Sequence, residues 1–397
     1  KTGRNSSTSS RTIRRTTVIG AGVMGAGIAQ WSSSRGLDVT LTDVGPEPLA
    51  KGMALVEKLY EQALKRRILS RPETRAGLDR VSPYVGTFPL ERCDLVIEAA
   101  VERMDIKKAI FQDLESRIGP DTILATNTSA LSISELAEAT ACPERVIGIH
   151  FFNPVHRMPL VEIVRGRATS EETLHRSIAF VQSIGKLPVI VKDSPGFVVN
   201  RLLLPYMIES VKLHESGVDV RMIDEAMLDF GMPMGPMRLI DEVGLDVAAH
   251  VAGTLQDAFG DRMATPKIIQ KMIVQGLLGR KSGRGFYDHT KNGESIAQRS
   301  RRDGFITREA IQECLVALII NEGARCLEEK VVAEPRDIDF AMIMGTGFAP
   351  FRGGPLRYAD TIGLTKVQRA LENAGNEPCG LLLDMAANDR PFYLIET

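Results

Sequence analysis

A glycine-rich turn, GxGxxG at residues 20–25, constrains the fold of this chain more than any other feature of its sequence. The turn directly follows a short apolar stretch typical of a buried strand, and it opens a segment of helical periodicity that ends near residue 35. Gly20 suits a tight turn, Gly22 lets the backbone approach a pyrophosphate, and Gly25 permits close packing of helix on strand. The context therefore predicts a dinucleotide-binding βαβ unit rather than an ordinary structural turn.

An acidic residue closes the next predicted strand, which covers residues 38–42. Asp43 is placed to accept hydrogen bonds from both ribose hydroxyls and to repel a 2′-phosphate. No Arg or Lys follows it before Lys51. The cofactor is therefore predicted to be NAD rather than NADP.

Strand and helix patterns alternate through the first half of the chain. Alternation of this kind predicts an α/β fold with a mostly parallel, Rossmann-type sheet. Residues 48–80 exceed an ordinary crossover and predict a helical excursion from the sheet. Further strands are predicted at residues 94–99, 122–126, 145–151, 160–164 and 187–191, with helices at 105–118 and 171–184.

The second half is predicted to be all-α and internally repeated. The residues at 236–245 are echoed at 355–364, and those at 223–227 are echoed at 338–342, in the same order. Two echoes in register indicate a duplicated helical domain with a polar seam near 290–305. The predicted organisation is a flexible linker at 1–14, an NAD-binding Rossmann domain at 15–195, a first helical domain at 196–292 and a second helical repeat at 300–397.

Composition excludes several other functions. The 397 residues carry a formal net charge of −1, which gives no reason to expect nucleic acid as a partner. Five scattered cysteines without a CxxC pair argue against a disulfide framework or a metal site. No apolar run is long enough to span a membrane. The first residues lack the apolar core of a signal peptide, and for that reason the bacterial cytosol is the expected compartment. The chain begins without Met, which suggests a piece of something longer.

Four polar residues in apolar surroundings are the candidates for chemistry: Ser129, His150, Glu162 and Asn200. Ser129 and His150 follow successive predicted strands at their carboxyl ends, where open α/β sheets bind ligands. Glu162 is a natural partner for His150, and a His held by a carboxylate suits a general base. A core histidine and a structural salt bridge explain the same residues equally well, so both interpretations stay open here.

Taken together, the motifs resemble the L-3-hydroxyacyl-CoA dehydrogenase family across nearly the whole chain. The resemblance rests on the glycine turn and on the stretches DLVIEA from Asp94, TNTS from Thr126, HFFNPV from His150 and DSPGFVVNR from Asp193. It is closest to the dehydrogenase part of multifunctional fatty-acid β-oxidation enzymes, which carry a duplicated helical domain. This implies an NAD-dependent oxidation of L-3-hydroxyacyl-CoA to 3-ketoacyl-CoA.

The resemblance also implies residue roles. His150 would be the base and Glu162 its orienting carboxylate, while Ser129 and Asn200 would bind the oxygens of the substrate. Lys65 and Arg66, on the helical excursion, would contact coenzyme A, although a solvated basic face of the helix explains the same residues equally well. The cofactor would be held by Gly20, Gly22, Gly25, Asp43, Glu102, Lys107, Asn127, Asn153 and Lys281.

Two alternative functions share parts of this pattern. A short-chain 3-hydroxybutyryl-CoA dehydrogenase shares the catalytic motifs, although such enzymes usually have a single helical domain. A non-catalytic NAD-binding relative would have lost the His–Glu pair, which is present here. The resemblance further implies an acyl-CoA substrate, an N-terminal hydratase domain and a thiolase subunit in the native complex, with the isolated chain monomeric.

Overall fold

The computed structural model describes residues 12–290, 294–295 and 306–393, which form two compact units divided between Asp193 and Ser194. Most of the linker predicted for residues 1–14 and most of the seam predicted near 290–305 lie outside the described residues. Among the helices within these ranges, none has both the length and the apolar character needed to cross a membrane.

The first unit is built on an eight-stranded sheet with the strand order β3-β2-β1-β4-β5-β6-β7-β8. All neighbouring strands in it run parallel except β6 and β7, which are antiparallel. The strands are β1 (Arg15–Ile19), β2 (Asp38–Asp43), β3 (Val81–Val85), β4 (Leu95–Glu98), β5 (Ile123–Thr126), β6 (Val146–Phe151), β7 (Leu160–Arg165) and β8 (Leu187–Lys192).

Helices of the first unit connect these strands, as the alternation predicted. The excursion between β2 and β3 consists of a long helix and a short one, and the short one begins with a capping box made by Ser70 and Glu73. The helices are α1 (Val23–Ser34), α2 (Pro46–Lys65), α3 (Arg71–Asp79), α4 (Met104–Glu115), α5 (Ile133–Ala137) and α6 (Glu171–Ser183), with a 3-10 turn at Pro143–Arg145.

The burial of the central strands explains why the sheet could be predicted from the sequence. Every residue of β4, β5 and β6 is buried, because both faces of a parallel sheet are covered, and such strands appear as continuous apolar runs. The edge strand β3 was missed. It contains Pro83, and four of its five residues are exposed, a combination that an edge strand tolerates but that resembles a loop in sequence.

The second unit is helical, apart from the two-residue strands β9 (Tyr287–Asp288) and β10 (Glu294–Ser295). Its first repeat contains α7 (Val199–Glu215), α8 (Val220–Phe230), α9 (Pro236–Val243), α10 (Leu245–Phe259) and α11 (Lys267–Val274). Its second contains α12 (Arg308–Glu328), α13 (Pro335–Thr346), α14 (Pro355–Ile362), α15 (Leu364–Asn373) and α16 (Gly380–Ala387). Short 3-10 turns lie at Gly260–Met263, Arg280–Ser282 and Pro350–Arg352.

A duplicated hydrogen-bond pattern relates the two repeats. In the first repeat, buried Asp224 accepts from the backbone N–H groups of Met237 and Arg238 at the start of α9 and from the hydroxyl of Tyr287. In the second, buried Asp339 accepts from the backbone N–H groups at the start of α14 and from the hydroxyl of Tyr393. The fold class predicted from the sequence, a Rossmann-type sheet followed by repeated all-α segments, is thus confirmed.

A second aspartate in each repeat hydrogen-bonds the backbone at the C-terminal end of that repeat. Asp241 on α9 accepts from the backbone N–H groups of Phe286 and Tyr287. Asp360 on α14 likewise accepts from those of Phe392 and Tyr393. The two repeats pack together inside one unit, with α12 lying against α7 and α8.

Candidate active site and cofactor site

The glycine turn between β1 and α1 tolerates no larger side chain at two of its positions. Gly20 has a positive φ of 97°, and a Cβ there would lie 2.6 Å from the carbonyl oxygen of Ala99. A Cβ at Gly25 would lie 1.7 Å from the carbonyl oxygen of Gly20. These clashes explain why the turn needs glycine for its own backbone geometry.

Gly22 differs from the other two glycines, because it faces open space. A Cβ there would meet nothing within 4 Å, and Gly22 is the N-cap of α1 without a side-chain capping bond. The N-terminus of α1 therefore presents backbone N–H groups beneath an uncrowded surface, which fits a pyrophosphate.

Asp43 lies at the carboxyl end of β2, next to this turn. Its Oδ2 accepts from the backbone N–H of Ala21 at 2.6 Å, and its Oδ1 accepts from that of Val44 at 2.7 Å. The carboxylate is thus held at the rim where a ribose would lie. Val44, the next residue along the chain, is 99% exposed, so an apolar side chain adjoins the carboxylate at the surface.

A buried ion-pair network lies at the carboxyl end of β4. Lys107 is 1% exposed, and its Nζ lies 2.8 and 2.9 Å from the two carboxylate oxygens of Glu98, which is fully buried. Glu98 also accepts from the hydroxyl of Thr126 and from the backbone N–H of Ala100. Lys107 was predicted as a cofactor contact, and the structure places its ammonium among carboxylates.

Glu102 connects this network to the candidate substrate residue. Its Oε2 lies 3.3 Å from the Nζ of Lys107, and its Oε1 accepts from the Thr128 hydroxyl at 2.5 Å and from the Ser129 backbone N–H at 2.8 Å. The loop after β5 is therefore fixed by a carboxylate. Asn127 in the same loop is buried and accepts from the backbone N–H of Phe151 at 2.8 Å.

His150 and Glu162 are directly opposite each other on β6 and β7. The Nδ1 of His150 lies 2.8 Å from Oε2 of Glu162; the histidine is 4% exposed and the glutamate is fully buried. The ring of Phe152 packs against the imidazole at 4.6 Å between centroids. Since β6 runs parallel to β5, His150 lies at the same sheet edge as the glycine turn and Asp43.

The residues predicted to contact coenzyme A lie at the end of α2. Lys65 and Arg66 are exposed, and Arg66 helps line a cavity of about 100 Å³ together with Trp31, Arg35 and His156. Burial and the neighbouring cations Arg157, Arg66 and Lys186 lower the pKa of His156. The surroundings of Arg66 are therefore positively charged. The remaining predicted contact of the first unit, Asn153, is exposed.

Two predicted site residues belong to the second unit. Asn200 is half-buried in the first turn of α7. Lys281 lies in a 3-10 turn and pairs with the carboxylate of Asp246.

Glu98 is the residue that the sequence interpretation missed. A signal was present, since an acid ends the otherwise apolar strand LVIE, but its partner Lys107 is identified only by the folded geometry. No cluster of three or more His, Cys, Asp or Glu side chains within the described ranges is arranged to hold a metal ion.

One sheet edge thus carries both a dinucleotide-binding turn and a buried His–carboxylate pair, and this combination defines an NAD-dependent dehydrogenase. The chain belongs to the 3-hydroxyacyl-CoA dehydrogenase family. The family model for the NAD binding domain matches residues 15–194, and the model for the C-terminal domain matches twice, at 196–289 and 304–389.

Known proteins resemble the chain over nearly its full length. The fatty acid oxidation complex subunit alpha of Acinetobacter baylyi is 39% identical over 99% of this chain, which spans 58% of that relative. A structure of 3-hydroxybutyryl-CoA dehydrogenase from Escherichia coli matches with 30% identity and a TM-score of 0.84, covering 95% of this chain and 99% of that one. The dehydrogenase part of multifunctional enzyme 1 from C. elegans matches with 29% identity and a TM-score of 0.67, covering 94% and 90%.

The Escherichia coli match corrects one argument made from the sequence. The duplicated helical region by itself predicts a β-oxidation enzyme rather than a short-chain 3-hydroxybutyryl-CoA dehydrogenase. Because that short-chain enzyme covers 95% of this chain, the duplication does not separate the two.

Proposed function

We propose that the chain oxidises L-3-hydroxyacyl-CoA to 3-ketoacyl-CoA, with His150 as the general base and Glu162 as the carboxylate that orients it. The observation that carries this proposal is the 2.8 Å contact between the buried His150 and Glu162 at the cofactor-binding edge of the sheet. NAD⁺, when bound, accepts the hydride that leaves C3 of the substrate.

The proton of the substrate hydroxyl is assigned to Nε2 of His150, because Glu162 holds Nδ1. The buried carboxylate fixes the orientation of the ring and stabilises the imidazolium that forms while the hydride leaves. Hydroxyl proton and hydride together account for the two hydrogens lost from the substrate, and the carbonyl is formed at C3.

Ser129 and Asn200 are proposed to hydrogen-bond the substrate's oxygens. Glu102 supports this assignment for Ser129, because it fixes the backbone of that residue at 2.8 Å. We assign Lys107 a supporting role, in which it holds Glu98 and Glu102 in place. The glycine turn, Asp43, Glu102, Asn127, Asn153 and Lys281 are kept as the proposed cofactor contacts.

Coenzyme A is proposed to lie against the end of α2, near Lys65 and Arg66. The charges support this, since Arg35 and Arg66 line one cavity and coenzyme A carries phosphates. The flat ring of Trp31 in the same cavity is stacked by Arg35 at 4.4 Å, which keeps that guanidinium in place.

A role in fatty-acid β-oxidation is proposed from the names of the relatives. In that role the native protein would include a hydratase domain, associate with a thiolase subunit and work in the cytoplasm. The second helical repeat would leave the isolated chain monomeric, and light scattering that finds a stable dimer would contradict this.

A second candidate is a short-chain 3-hydroxybutyryl-CoA dehydrogenase, favoured by the match to the Escherichia coli enzyme. A series of 3-ketoacyl-CoA substrates from C4 to C16 separates the candidates. Activity that falls sharply beyond C4 supports the short-chain enzyme, and activity retained at C10 and above supports β-oxidation.

The proposed reaction is tested by following NADH oxidation at 340 nm with acetoacetyl-CoA as the substrate. Turnover that depends on NADH and is weak with NADPH is expected. A folded chain that binds NADH but turns over no 3-ketoacyl-CoA of any length would refute the proposal.

A further inference from the structure

We propose that Arg201 is a positioning residue, through which the second helical repeat fixes the direction of Asn200 on α7. The inference rests on the substrate-binding role proposed above for Asn200. It assigns a part in the reaction to a repeat that carries none of the proposed catalytic side chains.

Arg201 is fully buried, and its charge is matched by two carboxylates of the second repeat. Its Nε lies 2.7 Å from Oε1 of Glu322, which is on α12 and 3% exposed. Its Nη1 lies 2.8 Å from Oε2 of Glu329, the residue that caps the end of α12. Arginine presents its donors in a rigid planar fork, so two carboxylates fix the position and the plane of the guanidinium.

Two further contacts of the guanidinium come from Ser194, just before the first repeat, and from Phe259 within it. Nη1 donates to the hydroxyl of Ser194 at 3.2 Å, at the start of the second unit. The ring of Phe259, at the end of α10, lies 4.4 Å from the guanidinium carbon and also stacks on Arg262. Arg201 is thereby held on several sides, with its charge compensated from α12.

The position of Arg201 in the helix turns this contact into a constraint on Asn200. The two residues are consecutive in the first turn of α7, so their side chains point about 100° apart around the helix axis. Moving the buried guanidinium away from its carboxylate partners would cost much free energy. The Arg201 side chain therefore stays directed at Glu322 and Glu329. The rotation of the first turn of α7 is then fixed, and with it the direction of Asn200.

A second set of ion pairs between the repeats provides a matched control. Arg308 on α12 pairs with Glu225 and Asp229 on α8, and all three side chains are between 43% and 54% exposed. This pair joins the same two repeats but involves no residue of α7. Exposed ion pairs of this kind contribute little to stability. Glu225→Gln therefore removes a contact between the repeats, and it should leave α7 and Asn200 undisturbed.

The test compares Glu329→Gln and Glu322→Gln with the Glu225→Gln control in the full chain. We expect each of the first two to raise KM for acetoacetyl-CoA roughly tenfold, the scale of one weakened charge-assisted contact. The Kd for NADH, measured by fluorescence, should stay unchanged, and Glu225→Gln should match the parent. Glu329→Gln is the milder change, because Glu329 is 42% exposed, and it keeps the test valid if Glu322→Gln unfolds.

A double-mutant cycle with Asn200→Ala distinguishes positioning from a general loss of structure. If Arg201 acts through Asn200, Glu329→Gln should raise KM in the parent but have little further effect in the Asn200→Ala chain. An equal effect in both backgrounds, or unchanged KM for both glutamate variants in an active parent, would overturn this inference alone. A folded parent without any turnover would overturn the proposed function, and the inference with it.

Discussion

His150 and Glu162 are cross-strand neighbours, paired directly opposite each other where β6 and β7 run antiparallel. Neighbouring strands elsewhere in the eight-stranded sheet pair in parallel. The antiparallel step brings Glu162, which follows His150 by only 12 residues, back to the same level of the sheet. The main-chain pairing of β6 with β7 thus places the two side chains opposite each other.

Both residues of this pair should be needed for turnover. His150→Gln and Glu162→Gln should each lower kcat by about 10²–10⁴-fold, the usual contribution of general-base catalysis. The Kd for NADH should change little, since neither residue lies on the glycine turn. Steady-state kinetics with acetoacetyl-CoA checks this, with the exposed His175→Gln as the control; retention of more than half the parental kcat in either site variant would contradict the assignment.

Cofactor choice should depend on Asp43. Asp43→Asn removes the charge that repels a 2′-phosphate and weakens the acceptor for the N–H of Ala21. We expect KM for NADH to rise and the preference for NADH over NADPH to fall by about tenfold or more. Asp38→Asn, at the exposed start of β2, should leave both values unchanged. An unaltered NADH/NADPH ratio in Asp43→Asn would show that the carboxylate does not select the cofactor.

Adjacent lysines on α4 should differ sharply in their effect on stability. Lys107→Ala leaves Glu98 buried and uncompensated, which typically costs about 3–5 kcal/mol. Lys108→Ala removes a partly exposed pair with Glu135, for which about 0–1 kcal/mol is usual. Thermal unfolding of the two variants measures the difference. Equal melting temperatures would mean that the buried network does not stabilise the first unit.

The coenzyme A site proposed near Arg66 predicts a substrate-dependent effect of that residue. Arg66→Ala should raise KM for acetoacetyl-CoA several-fold, by loss of one charge-assisted contact to phosphate. With a short acetoacetyl-pantetheine thioester, which lacks the nucleotide, KM should be the same in parent and variant. The exposed Arg92→Ala serves as the control. An equal rise in KM for both thioesters would show that Arg66 does not act through the nucleotide part of coenzyme A.

The duplicated aspartates predict a pH dependence of stability. Burial raises the pKa of Asp224 and of Asp339 to about 6, although the hydrogen bonds of each carboxylate oppose the shift. Between the ordinary aspartate pKa of about 3.9 and 6 the folded state binds more protons than the unfolded state, so their contribution to stability falls as pH rises through this window.

Replacing one of these aspartates should flatten that dependence. The melting temperature of Asp339→Asn will be lower overall, because an amide cannot accept from all three donors. Its difference from the parent should nevertheless shrink as pH rises from 4 to 6. Differential scanning fluorimetry across this range, with the exposed Asp389→Asn as the control, makes the comparison. A constant difference would show that Asp339 does not titrate there.

The sequence by itself determined the features that depend on local pattern. The places of the glycine turn after β1 and of Asp43 at the end of β2 could be predicted, because glycine spacing and a terminal acid follow short apolar strands in the sequence. The buried strands β4, β5 and β6 were readable because continuous apolar runs mark a sheet covered on both faces. The helical duplication was readable because the same contacts, such as those of Asp224 and Asp339, need the same residues twice.

Only the tertiary structure decided which distant residues meet. Whether Glu162 faces His150 depends on strand direction and register, which apolar runs do not encode. Glu98 and Lys107 look like ordinary charged residues until both are buried together. Arg201 and Glu322 are 121 residues apart, and they are joined because two helices pack and leave no solvent for either charge. Burial creates the requirement for a partner, and the packed fold selects that partner.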